Sequence, residues 1–396
     1  MRPTRRVHRA STPVRLFLVL AVAGTIVISR PTALLGALYP NGFPSDPRFF
    51  PTAVWLQSPR NAGEFKAIGI NTFVGLWEGP TEAQLAELST SGLYVVAEQN
   101  EVGLNSPNRG IIRGWMQGDE PDNAQPAIRG LGQFGPCIPA AEVAERSRGM
   151  KARDPTRPVL VNFGRGVADP SWHGRGTCTG DEKYYDVAVR SADIVSFDIY
   201  PVGSDTPRVK GRLEYVARGV ANLVKRTLPG QSVWTAIETT ALDPARPAEP
   251  AEVRAEVWMA LIHGARGIVY FVHEWTGGFR EDGIFRHPDI VREVARINRT
   301  IASLASVLNS PDLPERIDVS SPVPIAAMVK QHGNALYLFA VAMQNQPSTP
   351  RLAIRGLRGA RAAVLNEGRD VAIRDGIIED TFDGYAVHLY KISLTP

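Results

Sequence analysis

Between residues 51 and 308 the sequence alternates eight times between a short apolar run and a helical pattern. Most of the apolar runs are continuous, which is typical of strands that are buried on both faces. The predicted strands are 52–57, 72–77, 93–99, 111–118, 158–163, 193–199, 232–238 and 267–273. Eight strands that alternate with helices predict an α/β fold, a (β/α)8 TIM barrel. A doubly wound open sheet usually carries a Gly-rich phosphate loop after its first strand, and this sequence has none there.

From about Asp312 the sequence changes character, and short strand-like runs separated by turns replace the alternation. These runs are 323–330, 335–343, 351–354, 362–366, 373–378 and 386–392. No convincing helical pattern interrupts them. We therefore expect residues 312–396 to form a small C-terminal antiparallel β-sandwich that packs on the barrel.

The N-terminus has the pattern of a targeting segment. Five arginines within the first fifteen residues precede an apolar run at 16–28. This run is too short for a comfortable membrane span, so residues 1–30 are predicted to be a signal peptide, with an uncleaved N-terminal anchor as the alternative. Both interpretations place the folded part outside the cytoplasm, either secreted, periplasmic or attached to a membrane. Residues 31–50 contain four prolines and are predicted to be a linker.

The net charge bears on whether the protein binds nucleic acid, and the cysteines bear on whether it contains a disulfide bond. The formal net charge is only +4, and no basic stripe is interleaved with aromatic residues, so nucleic acid is not an expected partner. The chain has two cysteines, Cys137 and Cys178. An exported chain with two cysteines permits one disulfide bond, and two unpaired thiols are the alternative.

Two of the predicted strands deliver a glutamate at their carboxyl ends. The fourth strand lies in the segment IIRGWMQGDEPD and is followed by Glu120, and the seventh lies in SVWTAIETT and ends at Glu238. Because a parallel barrel presents its catalytic groups at the carboxyl ends of its strands, we expect the two glutamates to meet across one mouth. Cleavage of a glycosidic bond needs two such carboxyl groups, which lie about 5–5.5 Å apart when the anomeric configuration is retained.

These two motifs resemble those of the clan A (β/α)8 retaining glycoside hydrolases. The resemblance implies that Glu120 is the acid/base and Glu238 the nucleophile. It also implies that Tyr200 hydrogen-bonds the nucleophile and that Trp275 is a platform for a sugar ring. Asp119 stands where the clan has an asparagine that binds the sugar 2-hydroxyl, so the contact at that hydroxyl is expected to differ.

Other side chains near the predicted mouth are candidates for substrate binding, with a structural role in the rim or core as the alternative for each. Glu274 is a rival nucleophile, and Glu98 a sugar-binding acid or a partner of one of the catalytic groups. Trp77 and Trp172 offer flat apolar faces on which sugar rings stack. Asp198, which ends the sixth strand, is a further candidate acid at the mouth. His173 is a candidate for contacts to sugar hydroxyls.

No cofactor or metal is expected, because the seven histidines form no HxH or HExxH pattern and there is no cysteine cluster. The G-x-S-x-G sequence of serine hydrolases is also absent. The sequence therefore predicts an exported retaining glycoside hydrolase that acts on an oligo- or polysaccharide. The alternatives are a non-catalytic polysaccharide-binding or assembly protein on the same scaffold, and a transglycosylase that uses the same carboxylates.

Overall fold

The computed structural model describes residues 35–128, 133–172, 178, 181–242, 246–357 and 361–394. The predicted N-terminal targeting segment and His173 lie outside the described residues. No helix in the described ranges is long and apolar enough to cross a membrane.

The first part of the chain is a barrel of parallel strands surrounded by helices. The strands are β1 Thr52–Gln57, β2 Thr72–Leu76, β3 Tyr94–Glu98, β4 Ile112–Met116, β5 Val159–Phe163, β6 Ile194–Phe197, β7 Ser232–Val233 continuing as Thr235–Glu238, and β8 Ile268–Phe271. The helices are α1 Ala62–Ala67, α2 Glu82–Ser91, α3 Glu101–Asn105, α4 Ala140–Arg153, α5 Glu182–Ser191, α6 Glu214–Arg226, α7 Pro250–Ile262 and α8 Pro288–Leu308. A single helical turn, Leu35–Leu38, precedes them, and a short hairpin of Pro126–Ile128 and Gln133–Phe134 follows β4.

The ring of strands closes at β7, which changes partner halfway along its length. Its first half pairs with β6, where Val233 lies opposite Val195, and its second half pairs with β8, where Glu238 lies opposite Phe271. Trp234 lies between the two halves, and its fully buried indole points into the barrel. The predicted (β/α)8 barrel is thereby confirmed.

The amino-terminal end of the barrel is plugged by the segment that precedes β1. Phe43 is buried there, with its ring centroid 5.4 Å from that of Trp234. Nearby, the Asn41 backbone N–H donates to the Thr156 carbonyl oxygen just before β5, at 3.0 Å. The opposite end, where the strands finish, is consequently the end that opens to solvent, as in other barrels that place their sites there.

The C-terminal part is one antiparallel sheet of eight strands, which confirms a small β domain after the barrel. Its strands are β9 Ile317–Ser320, β10 Ile325–His332, β11 Ala335–Ala342, β12 Arg351–Ile354, β13 Arg361–Val364, β14 Arg369–Arg374, β15 Ile377–Glu379 and β16 Val387–Ser393. They are arranged in the order β9-β12-β15-β14-β13-β16-β11-β10. The sheet curls around an apolar core of its own, since the Leu313 N–H just before β9 donates to the Val329 carbonyl of β10 at the other edge, at 2.9 Å.

One predicted strand of this domain is wrong in detail. Residues 373–378 do not form a single strand, because the chain turns back at Asp375 and Gly376. Both residues have positive φ, +52° and +77°, which is the geometry of a two-residue type I′ hairpin turn. The segment therefore contributes the adjacent ends of β14 and β15, with Ile373 opposite Ile378.

One face of the C-terminal sheet joins the apolar core of the barrel, while the other face lines the sheet's own core. Trp258 on α7 packs against Phe339 on β11, with their ring centroids 5.3 Å apart. Polar contacts flank this packing: the Tyr385 hydroxyl donates to the Gly211 carbonyl at 2.6 Å. Because α7 is covered by the barrel on one side and by the sheet on the other, most of its residues are buried, including two glutamates.

Cys137 and Cys178 form a disulfide bond, as the sequence predicts, with Cα atoms 6.0 Å apart. The bond joins the long loop after β4 to the loop after β5. The Tyr184 hydroxyl at the start of α5 also donates to the Ile138 carbonyl of the first loop, at 3.0 Å. These two loops border the end of the barrel at which the predicted acidic residues lie.

Candidate active site

Glu120 lies at the mouth of the barrel in a constrained backbone conformation. Its φ of +43° is uncommon for a residue with a side chain and costs on the order of 1–3 kcal/mol. The conformation is held by the Glu120 N–H, which donates to the Asn162 carbonyl at 3.1 Å. Its Oε2 accepts a hydrogen bond from Asn123 Nδ2 at 3.1 Å. A Cβ on Gly164 would lie 2.7 Å from Glu120 Oε1, so only glycine leaves room for this carboxylate.

A second group of side chains is arranged around the amide of Asn162 on β5. Asn162 Nδ2 donates to Asp119 Oδ1 at 2.8 Å and lies 3.3 Å from Asp198 Oδ1. Ser196 on β6 donates its hydroxyl to Asn162 Oδ1 at 2.6 Å, which fixes the amide with its nitrogen toward the carboxylates. Since one nitrogen contacts both, the two aspartate oxygens are no more than about 6 Å apart.

Several negative charges at this mouth raise one another's pKa values. Enclosure by the barrel walls, followed by the neighbouring Glu120 carboxylate, raises the pKa of Asp119 to about 7, although its side chain is open to the cleft. Enclosure by the barrel walls, and then the Glu120 charge, raise the pKa of Asp198 well above its usual value, although its side chain is partly exposed. Burial also raises the pKa of Asp122 to about 6. The cluster therefore keeps a proton at neutral pH, which is what a general acid requires.

Tyr200 belongs to the same cluster. Enclosure by the barrel walls, followed by the Asp198 charge, raises the pKa of its hydroxyl well above the usual value. The phenol therefore stays protonated and remains a hydrogen-bond donor. Tyr200 lies in the loop after β6, and its ring centroid is 4.9 Å from that of Phe271 on β8.

The burial and the hydrogen-bond partners of Glu238 differ from those of Glu120. Its side chain is only 1% exposed, and its carboxylate oxygens accept hydrogen bonds from the N–H groups of Val202, at 2.6 Å, and Gly203, at 2.8 Å. The carboxyl group also shares a hydrogen bond with Glu256, a fully buried residue of α7. Burial raises the pKa of Glu238 to about 7 and that of Glu256 further above its usual value. Glu238 thus belongs to a buried acid pair that ties the loop after β6 to α7.

The two other acids that the sequence singles out are Glu274 and Glu98. Glu274 is 4% exposed, and its carboxylate lies 3.3 Å from His287 Nε2 and 3.7 Å from Arg286 Nη1. These contacts place it in the rim. Glu98, at the end of β3, is exposed and is paired in register with Met116 of β4.

Aromatic rings form a continuous wall along one side of the mouth. Trp275 is 43% exposed and Phe279 50% exposed, with ring centroids 5.6 Å apart. Trp275 also stacks on Phe271 at 6.0 Å, and Trp77 meets Phe279 edge to face at 5.7 Å. Through Tyr200 and Phe271 the wall reaches the acidic cluster. Exposed aromatic faces in a concave site are suited to the apolar faces of sugar rings.

Trp172, which the sequence predicts to stack on a sugar ring, and the nearby His273 both contact other parts of the protein. Trp172 has one face covered by the Arg165 guanidinium, whose carbon lies 4.5 Å from the ring centroid. Arg165 is itself paired with the buried Asp169 at 3.1 Å. His273 approaches the Leu56 carbonyl oxygen with its Nε2 at 2.8 Å, and burial lowers its pKa.

Sequence reasoning did not assign Asn162, Phe271 or Phe279 to the site. Asn162 is the one polar side chain in the run 158–163, which is a signal that could have been used. Phe271 reads as an ordinary core residue of a buried strand, and Phe279 as a loop residue. In the part of the chain that the structure describes, no group of three or more His, Cys, Asp or Glu is arranged to hold a metal ion.

Solved structures of known proteins resemble this chain in fold, at low sequence identity. No protein-family model and no curated protein matches the chain. Among solved structures, a noncanonic maltogenic α-amylase, AmyB, from Thermotoga neapolitana matches with a TM-score of 0.50 and 11% identity over 88% of this chain and 100% of that chain. A glycoside hydrolase matches with a TM-score of 0.50 and 13% identity over 88% of this chain and 93% of that chain. An α-L-arabinofuranosidase from Thermotoga maritima matches with a TM-score of 0.48 and 13% identity over 85% and 90% of the two chains. At these identities the first two likenesses confirm the architecture of a TIM barrel followed by a β domain.

Proposed function

We propose that this protein is an exported glycoside hydrolase that cleaves O-glycosidic bonds at the carboxyl-end mouth of its barrel. The observation that supports this most is the placement of the Asp119, Glu120 and Asp198 carboxyl groups beside an exposed aromatic wall. Carboxyl groups supply both the proton and the negative charge that the oxocarbenium-like transition state needs, while the wall binds sugar rings. The fold shared with glycoside hydrolases is consistent with this activity.

In the proposed reaction Glu120 is the general acid that protonates the leaving oxygen. It is partly exposed at the mouth, and the carboxyl cluster around it keeps a proton at neutral pH. A second carboxylate then stabilises or attacks the anomeric carbon, and the sequence predicts Glu238 for that role. Asp119 is open to the cleft and is proposed to accept a hydrogen bond from a sugar hydroxyl, with Trp275 as a platform.

The decisive test of this function compares Glu120→Gln with the wild type on two kinds of substrate. Removal of a general acid should lower kcat/KM on polysaccharides roughly 10²–10⁴-fold. The loss should be much smaller on 2,4-dinitrophenyl glycosides, whose leaving group needs no proton. Glu87→Gln, an exposed change on α2, is the matched control and should behave as wild type. Unchanged polysaccharide hydrolysis by Glu120→Gln would refute the assignment.

The alternative from another functional class is a polysaccharide-binding or assembly protein. The aromatic wall would suit it equally, but it would not need the shared proton of the acidic cluster. Incubation of the wild type with polysaccharides separates the two, because binding without release of reducing ends favours the binding protein. Products longer than the substrate at high substrate concentration would identify a transglycosylase on the same site.

Export and membrane attachment are also proposals, and they rest on the basic and apolar N-terminal sequence. Expression in a bacterial host followed by fractionation and measurement of the intact mass tests them. Loss of roughly the first 30 residues from extracytoplasmic protein is expected for a signal peptide. A full-length chain in the membrane fraction would indicate an anchor, and a full-length chain in the cytoplasm would contradict both.

A further inference from the structure

We propose that Asp198, at the carboxyl end of β6, is the carboxylate that attacks the anomeric carbon, in place of Glu238. This inference rests on the proposed glycosidase function and names the second reacting group of the same site. It differs from the assignment that resemblance to clan A implies, in which the nucleophile ends β7.

The first argument is access to the mouth. A nucleophile must reach a sugar in the cleft, and Asp198 is partly exposed there whereas Glu238 is 1% exposed. Both oxygens of Glu238 already accept backbone hydrogen bonds, from Val202 and Gly203. An attack by Glu238 would require these bonds and its bond with Glu256 to be broken first.

The second argument is the identity of the groups around Asp198. The Asn162 amide nitrogen contacts both Asp198 and Asp119, and Asp119 directly precedes Glu120, so these carboxyl groups gather at one place in the mouth. Asp198 Oδ1 lies 3.3 Å from the Asn162 amide nitrogen, and the Asp198 charge raises the pKa of the Tyr200 hydroxyl. A tyrosine of the β6 loop that bonds the nucleophile is what the sequence predicts. In the structure the carboxylate whose charge most raises the pKa of Tyr200 is that of Asp198.

The third argument is that Glu238 has a structural function that explains its presence. Its carboxylate holds the N–H groups of Val202 and Gly203, which follow Tyr200 directly in the loop after β6. It is in turn bonded by Glu256 of α7. Glu238 is therefore a positioning residue, because it fixes the loop that carries Tyr200.

The chemistry balances with the groups present. An oxygen of ionised Asp198 forms a bond to the anomeric carbon while the bond from that carbon to the leaving oxygen breaks, and Glu120 gives its proton to that oxygen. Water then attacks the same carbon, Glu120 takes a proton from the water, and the ester bond to Asp198 breaks. The product keeps its anomeric configuration, and both side chains return to their initial states. The reaction as written requires Glu120 to carry the proton and Asp198 to be ionised when the sugar binds.

Covalent trapping in the wild-type protein tests the inference directly. The probe is the 2,4-dinitrophenyl 2-deoxy-2-fluoroglycoside of whichever sugar the wild type hydrolyses in a panel of aryl glycosides. Trypsin separates the candidates, because Asp198 lies on peptide 191–208, Glu238 on 227–254 and Glu120 on 114–129. We expect the mass of one fluoroglycosyl group on peptide 191–208. A label on either of the other two peptides would overturn the inference.

Variants give a second, independent measurement. Asp198→Asn should lose on the order of 10³-fold or more in kcat. Asp198→Ala should regain cleavage of the dinitrophenyl glycoside in sodium azide and form a glycosyl azide of inverted configuration, whereas Glu238→Ala should form none. If Asp198→Asn retained more than about a tenth of the wild-type kcat, Asp198 would not be the nucleophile. A wild type that hydrolyses nothing in the panel would instead count against the proposed function itself.

Discussion

Substitution of Glu256 by glutamine should stabilise the protein at neutral pH and leave it nearly unchanged in mild acid. Glu256 is fully buried on α7, and burial followed by the Glu238 charge raises its pKa well above the usual 4.5. The folded state must therefore keep a proton on Glu256 that the unfolded state releases. A glutamine amide of nearly the same shape can still donate to Glu238, and it holds no proton that must be taken up.

The sign and size follow from proton linkage. Because the folded wild type binds one more proton than the unfolded chain above about pH 4.5, its free energy of unfolding falls as the pH rises. The slope is about 1.4 kcal/mol per pH unit for one group. Glu256→Gln removes this slope, so the free energy of unfolding of the variant should rise relative to wild type between pH 5 and pH 7, by at most about 3 kcal/mol.

Urea unfolding followed by tryptophan fluorescence at pH 5, 6 and 7 measures this difference. The m-value should stay the same in wild type and variant, so that midpoints can be compared. Glu87→Gln on the exposed face of α2 is the control and should keep a constant offset from wild type at every pH. If the curves of Glu256→Gln and wild type also ran parallel with pH, Glu256 would not hold a proton in the folded state and the reasoning would be wrong.

Three further predictions concern the mouth and its loops. Trp275→Ala should raise KM for polysaccharides about 3–10-fold while kcat on aryl glycosides stays constant, and an unchanged KM would remove the indole from substrate binding. Cys137→Ser combined with Cys178→Ser opens a bond between residues 41 apart and should lower the free energy of unfolding by about 4 kcal/mol, measured by urea under oxidising conditions; equal urea midpoints would contradict this. Glu274→Gln should keep at least about half of the wild-type kcat because its carboxylate belongs to the rim, and a loss as large as that of Glu120→Gln would make it a reacting group.

The barrel could be predicted from the sequence because strands that are buried on both faces consist almost entirely of apolar residues. A run such as 158–163 is apolar except for Asn162, and helical patterns separate it from its neighbours. The sequence could not predict that β7 pairs with β6 before Trp234 and with β8 after it. This pairing depends on the geometry of the closed ring and not on the residues of β7 alone. The hairpin between β14 and β15 carried the signal Asp375-Gly376, a favoured pair for a two-residue turn.

The site was less predictable than the fold, because strand ends say which residues reach the mouth and not which way their carboxylates turn. Glu238 ends β7 as the motif predicts, yet the neighbouring N–H groups of Val202 and Gly203 hold its carboxylate away from solvent. Glu256 reads as a surface acid within a helix, and only the C-terminal sheet packed over α7 explains its burial. The role of Asn162 could be recognised only in the structure, because it depends on contacts to two aspartates on other segments of the chain.

The apolar core that joins Trp258 and Phe339 has a consequence for how this chain can be divided. A gene that stopped after α8 would encode a barrel with an uncovered strip of tryptophan and aliphatic side chains along its outer helices, a surface prone to self-association. The β domain is therefore no detachable appendage. It covers one flank of the barrel permanently, and the two should melt in a single calorimetric transition.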